Sequence, residues 1–117
     1  MSKRPMVNGN SPWGSIQHVT AIDKENHELL IVDTAGHGGM WIGPSLMPRF
    51  RQLFPDFKGY AGLPWLEEDC DICLGVIAFP EFFTPEKVEL AKQTVRNMRD
   101  YFVSANQMLD RMEHANV

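Results

Sequence analysis

The sequence predicts an α+β domain. A small antiparallel sheet is expected from residues 15–42, packed by three or four helices near 46–54, 66–79 and 85–113. Three observations predict it. Apolar residues alternate with period two between Ser15 and Thr34, as on a strand buried on one face. From Thr84 onward they recur every three to four residues, as on an amphipathic helix. Between these regions, glycine and proline break the chain into short pieces, which suits several small elements better than one long one.

Residues 1–10 are polar and turn-rich and read as a flexible tail ahead of a single domain over 11–117. Trp13 is the first side chain with a large apolar area to bury. Ser15–Ile22 and Glu28–Thr34 read as two strands. The polar link Asp23-Lys24-Glu25-Asn26 is too short for a parallel crossover, so they form an antiparallel hairpin. The run Asp33-Thr34-Ala35-Gly36-His37-Gly38-Gly39-Met40-Trp41 follows. Its glycines allow tight bending and close backbone approach, so His37 is placed on a well-defined loop. Met40-Trp41-Ile42 returns as a third strand. Leu46–Phe54 reads as a short helix with Pro48 in its first turn, where a missing amide hydrogen is tolerated.

Trp65–Phe79 fits two periods. Cys70, Ile72, Leu74, Val76 and Ala78 make a strand face, whereas Leu66, Cys70, Cys73, Leu74 and Ile77 make a helical stripe. The helix is preferred, because Glu67-Glu68-Asp69 would then meet the free amides of its first turn. Thr84-Pro85-Glu86 opens the clearest helix, with an N-cap, a proline at the first position and an acid in the first turn. Residues 84–117 form a helical extension, either one bent helix or two, with Ser104 and Gln107 as a capping box in the second case.

The chain has 117 residues, enough for one domain, and its 44% apolar content supplies a real core. No apolar run reaches the roughly 20 residues of a membrane span. No apolar segment follows the charged N-terminus, so no signal peptide is read and a cytoplasmic location is expected. The net charge of −4 is uneven: between Leu66 and Glu89 there are seven acidic residues and one lysine. That balance disfavours nucleic acid as a partner and favours a basic protein surface. Protein contact is therefore assigned to Glu67, Glu68, Asp69, Asp71 and Glu81, with Trp41 and Trp65 as aromatic anchors. Lys92, Arg96 and Arg99 form a basic ridge that could meet phosphate or protein. Met108, Leu109 and Met112 are a candidate dimer contact.

Two sets of residues could carry chemistry. His37 with Glu68 or Asp69 could work as an acid–base pair in a small hydrolase or transferase, the carboxylate orienting the ring. Cys70 and Cys73, three apart, could hold zinc if His37 and His18 completed the set. The spacing from His37 to Cys70-x-x-Cys73 resembles the zinc nucleoside deaminases. Gly39 stands where their proton-shuttling glutamate belongs, and Asp69 where their proline belongs, so that chemistry is disfavoured. Phosphate-loop and dinucleotide fingerprints are missing, and no cofactor is implied.

Four blocks remain: Ser11-Pro12-Trp13-Gly14, Thr34-Ala35-Gly36-His37-Gly38-Gly39, Trp65-Leu66-Glu67-Glu68-Asp69-Cys70 and Ala78-Phe79-Pro80-Glu81. Together, over residues 11–83, they resemble a small domain family of unknown function found in bacteriophage, plasmid and bacterial proteins. The resemblance implies a mobile-element setting, in which small acidic proteins bind a host or viral protein and can inhibit a host defence complex. The expected function is a non-catalytic protein-binding module.

Overall fold

The computed structural model describes residues 4–115; the first three residues of the expected tail lie outside it. The chain opens with a two-strand ribbon, β1 (Asn10–Ser11) and β2 (Gly14–Ser15), turned at Pro12-Trp13. A four-stranded antiparallel sheet follows in the order β3 (His18–Ala21), β4 (Leu29–Asp33), β5 (Gly38–Ile42) and β6 (Trp65–Glu67). The helices are α1 (Met47–Leu53), α2 (Ile72–Ala78), α3 (Pro85–Asn97) and α4 (Val103–Ala115), with a single 3-10 turn at Pro80–Phe82. The α+β class and the β3–β4 hairpin stand as expected. The polar link is fixed by Asp23, whose carboxylate accepts the amides of Glu28 and Leu29 at 2.7 Å each.

Pairing of β4 with β5 and of β5 with β6 sorts the side chains onto two faces. Leu29, Met40, Ile42 and Leu66 turn toward the helices and join Phe50, Phe54, Leu74, Ile77, Phe79, Val95 and Phe102 in one core. The opposite parity carries Leu30, Val32 and Trp41, which are buried together with Ile16. The N-terminal segment covers this second face. The Asn8 amide donates to the Ile16 carbonyl, and the Trp13 ring lies over Gly39. Arg4 reaches the carbonyl of Asn26 and the carboxylate of Glu28, so the described part of the expected tail is tied to the domain.

The expected helix over 66–79 is corrected to a strand, a turn and a shorter helix. Trp65-Leu66-Glu67 pairs with Trp41-Met40-Gly39 of β5, which makes the sheet one strand larger than expected. Helix α2 begins only at Ile72, and Glu67, Glu68 and Asp69 do not lie in its first turn. The short strand wins because β5 already presents a partner edge and because glycine at 39 admits β6 closely. A Cβ there would collide with the Leu66 carbonyl. Gly75, a weakness in an isolated helix, seats α2 on the sheet: a Cβ there would run into the Met40 sulfur and come within 3.0 Å of Leu66 Cδ1.

Thr84 caps α3 as expected, accepting the Lys87 amide at 3.2 Å. The chain turns at Met98–Phe102, so 85–113 is two helices. Helix α4 starts at Val103, which puts Ser104 inside it and removes the expected capping box. Buried Asn106 holds the turn: its amide nitrogen donates to the carbonyls of Val95 at 2.9 Å and Phe102 at 2.8 Å. Leu109, expected at a dimer surface between Met108 and Met112, is 2% exposed and belongs to the core, with both methionines packed half-buried beside it. Among the described residues, no helix is long and apolar enough to cross a membrane.

Candidate functional site

The register of β6 builds the site. Leu66 points into the helical core, so Trp65 and Glu67 point to the other face, where Trp13 lies. Trp13 and Trp65 meet edge to face, with centroids 5.6 Å apart and planes at 89°. Room for Trp13 comes from Gly39, where a Cβ would lie 2.5 Å from its Cη2 atom. A groove of about 520 Å³ opens beside this pair, lined by Pro12, Trp13, His37, Tyr60, Glu67 and Asp69. Three sequence blocks, distant along the chain, thus converge on one depression.

Local bonds hold each wall. The Ser11 hydroxyl donates to the Gly14 carbonyl and accepts the Trp13 amide at 3.2 Å, which fixes the ribbon turn. The Thr34 hydroxyl donates to the His37 carbonyl and accepts its amide at 3.2 Å, closing the β4–β5 hairpin and presenting His37 at its end. The His37 side chain is 68% exposed, and its Nδ1 stands 3.7 Å from Glu68 Oε1. The glycines of this hairpin are not there for positive φ, which the chain shows at Gly14, Gly59 and Gly62. Gly38 and Gly39 belong to β5 and answer the need for close packing.

The Glu67 carboxylate accepts the Asp69 amide at 2.7 Å. Partial burial first, and then the neighbouring acids Asp69 and Asp71, push its pKa above the usual range despite that bond. A cation in the groove would offset the repulsion among these acids. Tyr60 forms the outer wall and is 84% exposed. Its backbone is anchored from below, where its amide donates to Asp71 Oδ2 at 2.8 Å.

The expected acidic surface divides. Glu67, Glu68 and Asp69 gather at the groove. Asp71 is fully buried and bonds to Tyr60 and Tyr101. Glu81 is committed to Arg49 through two bonds of 2.6 Å. Trp41 is 1% exposed and cannot anchor a partner; its neighbour Trp65 is half-buried beside the groove. The basic ridge is also broken. Arg96, on α3, reaches across to α4 and pairs with Asp110 at 2.6 Å and Glu113 at 2.8 Å, while Arg99 lies past the end of α3.

The zinc arrangement is not formed: among the described residues, no three of His, Cys, Asp and Glu come together to hold a metal, so His18, His37, Cys70 and Cys73 do not make a site. Both thiols are pushed above their ordinary range, first by burial, which disfavours the thiolate a metal needs. Sequence reasoning gives Pro12 no site role and selects Trp41 and Trp65, rather than Trp13 and Tyr60, as the aromatic anchors. The available signal was an aromatic directly after a loop glycine, Gly59-Tyr60, and one directly after a proline, Pro12-Trp13.

No curated protein and no solved structure matches the chain. A family model for a domain of unknown function, DUF7007, matches residues 6–115, and the chain belongs to that family.

Proposed function

We propose that the chain is a binding module that grips a basic segment of a partner protein in the groove between Trp13, Tyr60, Glu67 and Asp69. The observation that supports this reading is the convergence of two aromatic and two acidic side chains in one groove whose lining contains no lysine or arginine. A lysine or arginine side chain entering it gains from both carboxylates and from the aromatic faces. Neither contact requires a covalent step. By its resemblance to domains of mobile elements, the reading extends to a host or viral protein as partner, with inhibition of a host defence complex as the proposed role. The test is titration with a lysine- and arginine-rich peptide, followed by tryptophan fluorescence. Binding is expected to weaken with salt and to disappear in the Glu67→Lys, Asp69→Lys double variant. The Glu86→Lys, Glu89→Lys control on α3 should bind as the parent does. Equal losses in both variants would reduce the effect to overall charge and reject the groove.

A second reading takes His37 as a general base with Glu68 orienting its ring, favoured by their 3.7 Å approach at the edge of the same groove. The Ser11 hydroxyl is tied into its turn, so water is the nucleophile in this version. Hydrolysis of a small ester or phosphoester that vanishes in His37→Ala, while peptide binding persists, would establish it.

A further inference from the structure

Strand β5 carries a different depression at its far end. About 13 Å along the strand from Gly38, Ile42 forms the floor of a groove of about 530 Å³. Met47 and Leu63 flank it, and Pro44, Pro48 and Pro64 complete its apolar walls. Its one charged lining residue is Arg51, exposed in the last turn of α1. Arg49, two positions earlier, is paired with Glu81, whereas among the described residues Arg51 makes no ion pair.

This lining restricts the chemistry of an occupant. Proline has no amide hydrogen. The amides of Ile42 and Met47 already donate to the carbonyls of Pro64 and Gly43. An extended peptide would bring backbone carbonyls and amides that need partners, at a cost when they are left unmet. A hydrocarbon chain brings none. The guanidinium at the rim matches a single anionic head, and a planar carboxylate suits its fork of donors. The volume lies within the roughly 300–1,000 Å³ range of small-molecule sites.

We propose that this groove binds a free medium-chain carboxylic acid, with its hydrocarbon chain along Ile42, Met47 and Leu63 and its carboxylate on Arg51. This site is independent of the Trp13–Tyr60 groove and does not rest on the function proposed there.

The test compares decanoate, decanol and an apolar peptide with a free C-terminus, all below micelle-forming concentrations, by calorimetry and amide NMR. Decanoate is expected to shift the resonances of Ile42, Met47 and Leu63 and to bind at least tenfold more tightly than decanol. In Arg51→Gln, decanoate should fall to the level of decanol while decanol itself is unchanged; Arg51→Lys should restore part of the difference. Equal binding of decanoate and decanol, shifts confined to other residues, or binding of the peptide alone would each overturn the proposal. Arg51 is exposed, so a circular dichroism spectrum equal to that of the parent is expected for both variants.

Discussion

The Tyr101 hydroxyl donates to Asp71 Oδ1 at 2.7 Å, and the other oxygen of this buried carboxylate accepts the Tyr60 amide at 2.8 Å. One carboxylate thus joins the start of α2, the turn between α3 and α4, and the loop that carries the outer wall of the groove. Tyr101→Phe leaves one oxygen of Asp71 short of a partner and should cost about 1–3 kcal/mol. Urea denaturation is the measurement, and a change below about 0.5 kcal/mol would place the bond among ordinary surface contacts.

The same contact contributes to the ionisation of Tyr101. Burial first, and then the bond to Asp71, push its phenol well above the ordinary value of 10.0. The folded chain therefore holds this proton more tightly than the unfolded one. The stabilisation is complete below the unfolded value and is lost as pH rises from there toward the folded one. Absorbance titration of tyrosinate should show Tyr101 returning toward the ordinary range in Asp71→Asn, provided the variant remains folded, which its circular dichroism reports.

Two glycines of one hairpin should behave oppositely. A Cβ at Gly39 would strike the Leu66 carbonyl and lie 2.5 Å from the Trp13 ring. Gly39→Ala is expected to destabilise by about 1–3 kcal/mol, the range of overpacking, and to displace Trp13, seen as a red shift in fluorescence. A Cβ at Gly36 meets nothing within 4 Å, and its φ is not positive. Gly36→Ala should be neutral or stabilising by up to about 1 kcal/mol, through loss of unfolded-state freedom.

The Arg49–Glu81 pair should show an acid dependence. Arg49 holds the Glu81 carboxyl below its usual range, and the guanidinium also sits 5.1 Å from the centroid of the Phe79 ring. Because the folded pKa is the lower one, the pair stabilises above the unfolded value near 4.5 and loses that effect as pH falls through the folded value. Both side chains are over two-fifths exposed, so Glu81→Gln should cost only about 0.5–1 kcal/mol at neutral pH and low salt. Parent and variant should converge in thermal unfolding once the pH falls below the folded value, and again in about 1 M salt.

Asn106 should be costly to replace. Its side chain satisfies the carbonyls of Val95 and Phe102 inside the α3–α4 turn, and Arg96 approaches its oxygen at 3.3 Å. Asn106→Leu leaves those carbonyls without this donor and should lower stability by about 1–3 kcal/mol. Amide exchange at Phe102 and Val103 should accelerate by more than in the rest of α4.

Local chemistry was the legible part of this sequence. Thr84-Pro85-Glu86 announces α3 because cap and proline act on their immediate neighbours, and the β3–β4 hairpin is visible because strong alternation flanks a short polar link. Trp65–Glu67 was not legible as a strand. Three residues are too few to establish a period, and the pairing depends on Gly39, far back in the chain. Asp71 reads like its neighbours Glu68 and Asp69, and only the fold shows that Tyr60 and Tyr101 close over it. At the groove, His37, Glu67 and Asp69 announce themselves as titratable groups, while Trp13 and Tyr60 look like core aromatics until β6 is placed.

Gly38 and Gly39 carry a consequence for how such a groove can diversify. Backbone forms the strand beneath the Trp13 ring, and substitution there disturbs the sheet before it changes what is recognised. The adjustable positions lie on three separate segments: the Pro12-Trp13 turn, the Gly59-Tyr60 loop and the Glu67–Asp69 corner. Each can change size or charge without entering the helical core, so wall residues can be exchanged while the strand beneath stays as it is. Across such domains, variation should concentrate at those walls while positions 38 and 39 remain glycine, and partner preference should follow the walls when they are transplanted together.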